Sequence, residues 1–288
     1  MQDSQIEKQL SRILGFGAMF VTVFIVSGSV TDPVNVTKFL ALGVVALPSL
    51  FLVLLTSLRA EVAKNKIILL SSGLFTVSMG ISVYLSKSPL SQNLYGTYGR
   101  NNGLLTYLFL LIIFLSATVF VSEKSSRRIV VGLFIAGMVN VLYCGWVLAF
   151  GDFVGWYNPY GNILGTLGNP NFIGAFLGVF SAVIICEIFL NIDSRPKLVL
   201  LLILYALIWI EIVKSHAIQG RVVGALGAAI VIGYWIRSKY SKLIAVAYIS
   251  LSALVGFVAL LGSLQIGPLT DYIYKASVSL RGQYWLAG

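Results

Sequence analysis

Residues 165–174 read Gly-Thr-Leu-Gly-Asn-Pro-Asn-Phe-Ile-Gly and lie near the middle of the chain, between two long apolar runs. Pro170 has no backbone N–H and biases Asn169 away from helical geometry. Because proline suits the first turn of a helix, we predict that a helix begins at Pro170 or Asn171. The glycines allow close backbone approach, and the two asparagines offer amides that can cap a helix or bind a ligand. This stretch therefore predicts a shaped pocket at a membrane surface.

The composition around this stretch is that of an integral membrane protein. The 288 residues are 58% hydrophobic and 10% charged, and the mean hydropathy is +0.93, whereas soluble domains carry about 25% charged residues. The net charge of +10 comes from basic residues in short loops, so membrane topology explains it and we expect no nucleic-acid partner. Two cysteines and one histidine show no zinc-type spacing, so we predict no metal and no cofactor.

Nine apolar runs predict an all-α, polytopic transmembrane helix bundle that forms a single domain over residues 1–288. Most runs approach the ~20 residues that cross a ~30 Å hydrocarbon core. Unpaired backbone is too costly in lipid, and the runs lack the alternation of a barrel. The seventh and eighth are short, which predicts broken or tilted helices. The nine runs are 13–30, 39–58, 67–85, 104–121, 129–150, 171–190, 198–213, 222–236 and 243–262.

The distribution of lysine and arginine predicts the orientation. Thirteen basic residues lie at the N-terminus and in alternate loops, against seven on the opposite side. The positive-inside rule therefore places the N-terminus in the cytoplasm and residue 288 outside. The loops assigned to the cytoplasm are 59–66, 122–128, 191–197 and 237–242.

Two outer loops combine aromatic and amide residues. Residues 95–103 read Tyr-Gly-Thr-Tyr-Gly-Arg-Asn-Asn-Gly, and residues 156–162 read Trp-Tyr-Asn-Pro-Tyr-Gly-Asn. Both could form a carbohydrate-facing rim. The alternative is an interfacial aromatic belt, with Arg100 reaching lipid headgroups.

Three further polar features lie near the predicted outer side. Arg221 stands at the start of the eighth predicted helix, where a guanidinium and free backbone N–H groups can bind a phosphate together. The alternative is an arginine that reaches the headgroups. His216 could act as a general base near neutral pH, or be a solvated loop histidine. Arg281 and Trp285 share one face if their segment is helical.

Intramembrane charge is sparse. Glu187 and Glu211 fall near the ends of their predicted spans. Acids inside a membrane are functional candidates, but their terminal positions predict access to water.

Four motifs occur in an order that resembles the O-antigen ligase and O-antigen polymerase superfamily. They are Gly-Arg-Asn-Asn-Gly-Leu-Leu-Thr at 99–106, Gly-Thr-Leu-Gly-Asn-Pro-Asn-Phe at 165–172, the loop ending at Arg221, and Arg-Gly-Gln-Tyr-Trp at 281–285. The resemblance covers residues from about 90 to the end. It implies a multi-pass protein of the bacterial inner membrane with roughly a dozen helices and a large outer loop. The present chain would hold nine of those spans and lack the outer loop and the last spans.

The resemblance also implies an activity in polysaccharide biosynthesis of the cell envelope, including lipopolysaccharide. Members transfer glycans from an undecaprenyl-pyrophosphate carrier to a lipid, polysaccharide or protein acceptor, without a metal. Arginines hold the pyrophosphate, and guanidinium groups can replace a metal in stabilising a departing diphosphate. The substrate-binding residues carried over are Arg221 and Arg281, then Arg100, Asn169, Asn171 and Trp285.

Two departures from the family pattern affect the site. Family members commonly show Ser followed directly by Arg before the eighth span, whereas Ser215 and Arg221 are six residues apart. The family's catalytic histidine lies in the large outer loop, and His216 is not at the matching place. The catalytic base is therefore unknown, and we expect residues 1–288 to be inactive as a transferase.

Two other functions stay open. A transporter of small anions or glycoconjugates should place polar groups and broken helices near the bilayer midplane, often in two repeated halves. A binding or sensor protein would need no chemistry. The concentration of polar residues at the predicted outer surface favours the transferase.

Overall fold

The computed structural model describes residues 2–26, 28–55, 58–156, 158, 161–263, 267–268 and 270. Within these residues the fold is all-helical, with eleven α-helices, one 3-10 turn at Gly165–Leu167, and no strand. Arg281 and Trp285 lie outside the described residues. The helices are α1 Gln2–Val23, α2 Asn35–Leu54, α3 Leu58–Lys64, α4 Lys66–Leu85, α5 Leu90–Tyr95, α6 Leu104–Ala117, α7 Glu123–Phe150, α8 Pro170–Leu190, α9 Arg195–Lys214, α10 Ile218–Lys239 and α11 Lys242–Ser263.

Seven of the described helices are long and apolar enough to cross a membrane: α2, α4, α7, α8, α9, α10 and α11. The chain therefore has the composition and helix lengths of a multi-pass membrane protein. The first predicted span falls on α1, which is not in this set because Glu7, Lys8 and Arg12 lie in its first half. The fourth falls on α6, which has 14 residues.

The prediction that the seventh and eighth runs form broken helices is wrong, and their tilt stays a prediction. The corresponding helices α9 and α10 have 20 and 22 residues. Both helices extend beyond the apolar runs into polar residues at each end, because lysine and arginine are good helix formers. The predicted helix start at Pro170 is confirmed.

The chain divides into two compact units, Met1–Phe180 with Ala206–Arg221, and Ser181–Tyr205 with Val222–Gly288. The prediction of a single domain stays a prediction. In the first unit α1 packs along α7 and α2, and α2 packs on α6. A Cβ added at Gly132 would lie 2.0 Å from the Gly15 carbonyl oxygen, so the α1 and α7 backbones are in direct contact.

Aromatic packing is prominent in the second unit. The rings of Phe189 and Trp235 stack at 4.8 Å, and Tyr240 meets Trp235 edge-on at 5.6 Å. Gly233 faces Tyr248, whose ring carbon would lie 3.3 Å from an added Cβ. These contacts join α8, α10 and α11.

Candidate functional site

The connections after α1, α5, α7 and α9 belong to one unit, and direct contacts link the first three. The Gly28 N–H donates to the Val154 carbonyl at 3.0 Å. The Asn35 side-chain amide donates to the Gly99 carbonyl at 2.7 Å. We call this end of the first unit the loop end. It comprises the described residues 24–26, 28–34, 96–103, 151–156, 158, 161–169 and 214–217.

Segment 165–168 is anchored inside the loop end by Asn140. The Thr166 N–H donates to Asn140 Oδ1 at 2.9 Å. The Thr166 hydroxyl lies 3.0 Å from that oxygen and 2.9 Å from the Thr22 carbonyl oxygen, so it can donate to either. Asn140 is fully buried and lies ten residues before Phe150, the last residue of α7, a distance of about 15 Å. The segment therefore penetrates between α1 and α7, deeper than the predicted surface pocket.

Two glycines of this segment cannot be replaced without movement. Gly165 has a φ of +55°, and an added Cβ would lie 2.4 Å from Ile173 Cδ1. Gly168 has a φ of +65°, and an added Cβ would lie 2.6 Å from Val34 Cγ2. A left-handed backbone and close neighbours both require glycine. Both glycines therefore serve the close packing of the turn.

Asn169 caps the helix that follows the turn. Its side-chain oxygen accepts a hydrogen bond from the Asn171 N–H at 2.9 Å, and its carbonyl accepts from Ile173 N at 3.0 Å. This arrangement satisfies N–H groups that have no partner inside α8. Asn169 and Asn171 are both half-buried. The oxygen of Asn169 is thus committed to the fold, which leaves its amide NH2 for a ligand.

Lys38 is a structural residue of the loop end. Its ammonium donates to the carbonyls of Val21 at 2.9 Å and Thr22 at 2.5 Å. These carbonyls lie in the last turn of α1, where oxygens have no partner within the helix. The Lys38 ammonium therefore binds the free carbonyl groups at the C-terminus of α1.

The two carboxylates of the loop end accept hydrogen bonds that hold the chain in place, although Asp32 Oδ2 is buried without a partner among the described residues. Asp152 accepts hydrogen bonds from the Tyr143 hydroxyl at 2.7 Å, the Val154 N–H at 2.9 Å and the Trp156 indole N–H at 2.6 Å. Asp32 accepts from the N–H groups at the start of α2. Both carboxylates hold loops in place.

Arg100 and Arg221 are exposed, and neither guanidinium has a hydrogen-bond or ion-pair partner within the described part of the chain. The ion pair found there is Lys64–Glu61, within α3. The described residues of the predicted outer side include five basic side chains and two carboxylates, Asp32 and Asp152. The basic residues are Lys38, Lys87, Arg100, Lys214 and Arg221. Basic residues therefore outnumber acidic ones among the described residues of the predicted outer side, and Arg100 and Arg221 are available to an anion.

The structure places Arg100 and Asn169 on adjoining segments. Arg100 follows Gly99, whose carbonyl is bound by Asn35, and the neighbouring Val34 packs against Gly168. This chain of contacts links the 96–103 loop to the residue that precedes Asn169.

Arg221 is held by a helix contact of its own. It follows Gly220 in the first turn of α10. A Cβ added at Gly220 would lie 2.6 Å from the Gly174 carbonyl oxygen, so α8 and α10 touch through backbone at this point. The start of α10, and with it Arg221, is therefore fixed against the second turn of α8.

Comparison with protein-family models, curated proteins and solved structures gives no match to this chain. The resemblance carried by the four motifs therefore supports a proposal of function and does not establish a family.

Of the remaining predicted site residues, His216 lies in the described part of the chain and the others lie outside it. His216 is exposed with a φ of +55° and follows the fully buried Ser215. The roles predicted for Arg281 and Trp285 stay predictions, as do those of the loop residues Tyr157, Pro159 and Tyr160, which also lie outside the described ranges. Among the described residues, no group of three or more His, Cys, Asp or Glu side chains is placed to hold a metal ion.

Sequence reasoning missed Asn140 and misread Glu211. Asn140 could have been found as the one amide inside the apolar run 129–150. The prediction that Glu211 reaches water is wrong, because the residue is fully buried and neither carboxyl oxygen has a hydrogen-bond partner among the described residues. An added Cβ at Gly145 of α7 would lie 3.6 Å from Glu211 Oε1, which places the carboxyl between α7 and α9.

Proposed function

We propose that the chain carries the donor-binding site of a membrane glycan transferase of the O-antigen ligase or polymerase type. Its donor is a glycan on undecaprenyl pyrophosphate, and its acceptor is a lipid, a polysaccharide or a protein. The observation that carries the proposal is two exposed arginines without a partner among the described residues, Arg100 in the loop end and Arg221 in the first turn of α10. Arg100 and Arg221 can offer bidentate hydrogen bonds to a diphosphate, and α10 adds N–H groups next to Arg221.

The proposed topology sets the loop end on the outer face of a bacterial inner membrane. We add α1 and α6 to the seven membrane-length helices, which gives nine spans with the N-terminus in the cytoplasm. Two contacts support this count, because α1 packs along α7 and α6 packs on α2, both membrane-length helices. The greater number of basic residues on the N-terminal side supports the orientation.

The reaction that fits this arrangement is a substitution at the anomeric carbon. The acceptor hydroxyl forms the new C–O bond while the bond from that carbon to the pyrophosphate oxygen breaks. The bonding electrons leave with the pyrophosphate, whose added charge the arginines stabilise. The hydroxyl proton passes to a base that the described residues do not identify.

The test is a glycan-transfer assay in cells that depend on the intact gene. Arg221→Ala and Arg281→Ala should abolish incorporation of glycan into the acceptor while the protein still inserts. Arg237→Ala is the matched control, because Arg237 is exposed at the other end of α10 and should leave incorporation unchanged. Normal incorporation with either outer variant would refute the proposed mechanism.

A second candidate, a transporter of small anions or glycoconjugates, is favoured by Glu211. A fully buried carboxyl without a partner in the described chain suits a group that takes up and releases a proton inside a membrane protein. In proteoliposomes, this candidate predicts proton uptake that depends on added inorganic phosphate. The flux should be lost in Glu211→Gln and kept in Glu187→Gln, since Glu187 is only half-buried near the end of α8. Absence of phosphate-dependent flux would remove the candidate.

A further inference from the structure

A groove of about 310 Å³ lies beside the loop end, between the second half of α4, α5 and the first turn of α6. Its lining includes Gly96, Thr97, Asn102 and Gly103 of the 96–103 loop, which also holds Arg100. The volume is at the small end of the range for ligand pockets, about 300–1,000 Å³. The groove is therefore large enough for one or two sugar rings.

The groove presents polar groups that the fold does not use. The side chains of Ser78, Gln92, Thr97 and Asn102 line it, and none of them has a hydrogen bond to another described residue. By contrast, the Ser82 hydroxyl donates within α4 at 3.0 Å. Amide and hydroxyl groups of this kind both donate and accept hydrogen bonds. Such a lining can satisfy a ligand that is itself rich in donors and acceptors.

Among the described residues that line the groove, none carries a charge. Gln92, Thr97 and Asn102 are exposed, so a ligand gives up only part of its water shell in this open groove. An anionic ligand would do so without gaining a cationic partner from the lining, which is unfavourable. The wall also contains Tyr107, which is 41% exposed, together with Met79 and Leu104. A sugar ring combines a polar rim with an apolar C–H face, and that face can pack on an aromatic ring.

We propose that this groove binds an uncharged sugar residue, with Gln92, Thr97 and Asn102 contacting its hydroxyls and Tyr107 packing on its ring. The source of the sugar rests on the proposed function, because a diphosphate held by Arg100 would bring the attached glycan to the same loop. The groove then favours neutral hexoses over uronic acids at this position of the glycan.

The test is saturation-transfer NMR on the chain in lipid nanodiscs prepared without maltoside detergent. Maltotriose is the neutral probe and trigalacturonate is the acidic probe of equal length. We expect saturation transfer to maltotriose at an affinity on the order of millimolar, and at least about fivefold weaker transfer to trigalacturonate.

Two variants locate the binding. Gln92→Leu and Asn102→Leu should each weaken maltotriose binding about fivefold, the effect of one lost hydrogen bond. Gln9→Leu is the matched control, because Gln9 is an exposed amide near the start of α1, and it should bind as the parent chain does. A thermal unfolding curve on each variant checks that it is folded.

Three results would overturn the proposal. They are no transfer to maltotriose, equal binding by the parent chain and both groove variants, or equal binding of the two probes. None of them depends on glycan transfer, so failure of the groove and failure of the transferase assay are distinguishable.

Discussion

Replacing Asn140 by leucine should strongly destabilise the first unit, because this residue holds the 165–168 segment in place. Leucine has a similar volume, so the change removes hydrogen bonds with little change in packing. It deletes the acceptor for the Thr166 N–H at 2.9 Å and the donor to the Ala136 carbonyl at 3.0 Å. Thr166 is 4% exposed, so water cannot replace the lost partner.

The loss in the free energy of unfolding that we expect for Asn140→Leu follows from these contacts. A buried N–H without a partner costs about 1–3 kcal/mol. A side-chain hydrogen bond between membrane helices contributes about 0.6 kcal/mol on average. We therefore expect Asn140→Leu to lower the free energy of unfolding by about 2–3 kcal/mol. Thr166→Val removes only the hydroxyl and should cost about 1 kcal/mol.

The assay uses the buried thiol of Cys144. This thiol is fully buried and reacts with a thiol-specific fluorophore only after unfolding. Cys186 is exposed, so the measurements are made in a Cys186→Ser background. Reaction across an SDS series gives the free energy of unfolding of each variant.

A matched control and a double variant decide the interpretation. Ser71→Ala removes an exposed hydroxyl that bonds within its own helix at 2.8 Å and should change stability by less than about 0.5 kcal/mol. Asn140→Leu and Thr166→Val together should cost less than the sum of the two, because they share one contact. An Asn140→Leu effect no larger than that of Ser71→Ala would refute the anchoring role.

Two further predictions concern helix packing. Gly220→Ala should lower the free energy of unfolding by about 2 kcal/mol, because the methyl would lie 2.6 Å from the Gly174 carbonyl oxygen. Gly73→Ala is the control: no atom lies within 4 Å of its added methyl, so it should raise the free energy of unfolding by up to about 1 kcal/mol. Equal effects of the two variants in the Cys144 assay would contradict the backbone contact between α8 and α10. Glu211→Gln should leave stability unchanged or raise it, because it removes an ionisable group from a fully buried position without a described partner, and a loss above about 1 kcal/mol would show that the carboxyl is paired.

Helix positions could be predicted from the sequence where a local rule applies. The missing N–H of proline places the start of α8 at Pro170, as predicted. The predicted run 67–85 matches Lys66–Leu85 within one residue. The run 39–58 is shifted, because α2 begins at Asn35, where Asp32 accepts the N–H groups of Val34 and Asn35.

The contacts that build the loop end could not be predicted, because they join distant parts of the chain. Asn140 and Thr166 are 26 residues apart, and a lone amide in an apolar run gives no sign of its partner. Lys38 counts as an outer basic residue in the sequence, yet its ammonium ends α1. The burial of Glu211 depends on the packing of α9 against α7, which no local pattern encodes.

The most direct measurement is the affinity of the chain for undecaprenyl diphosphate in nanodiscs, with Arg221→Ala compared with Arg237→Ala. Loss of one charge-assisted, bidentate contact should weaken binding about tenfold or more in Arg221→Ala. Arg237→Ala, on the same helix but away from the loop end, should bind as the parent chain does. Equal affinity of all three proteins would contradict the claim that the outer arginines hold a lipid diphosphate.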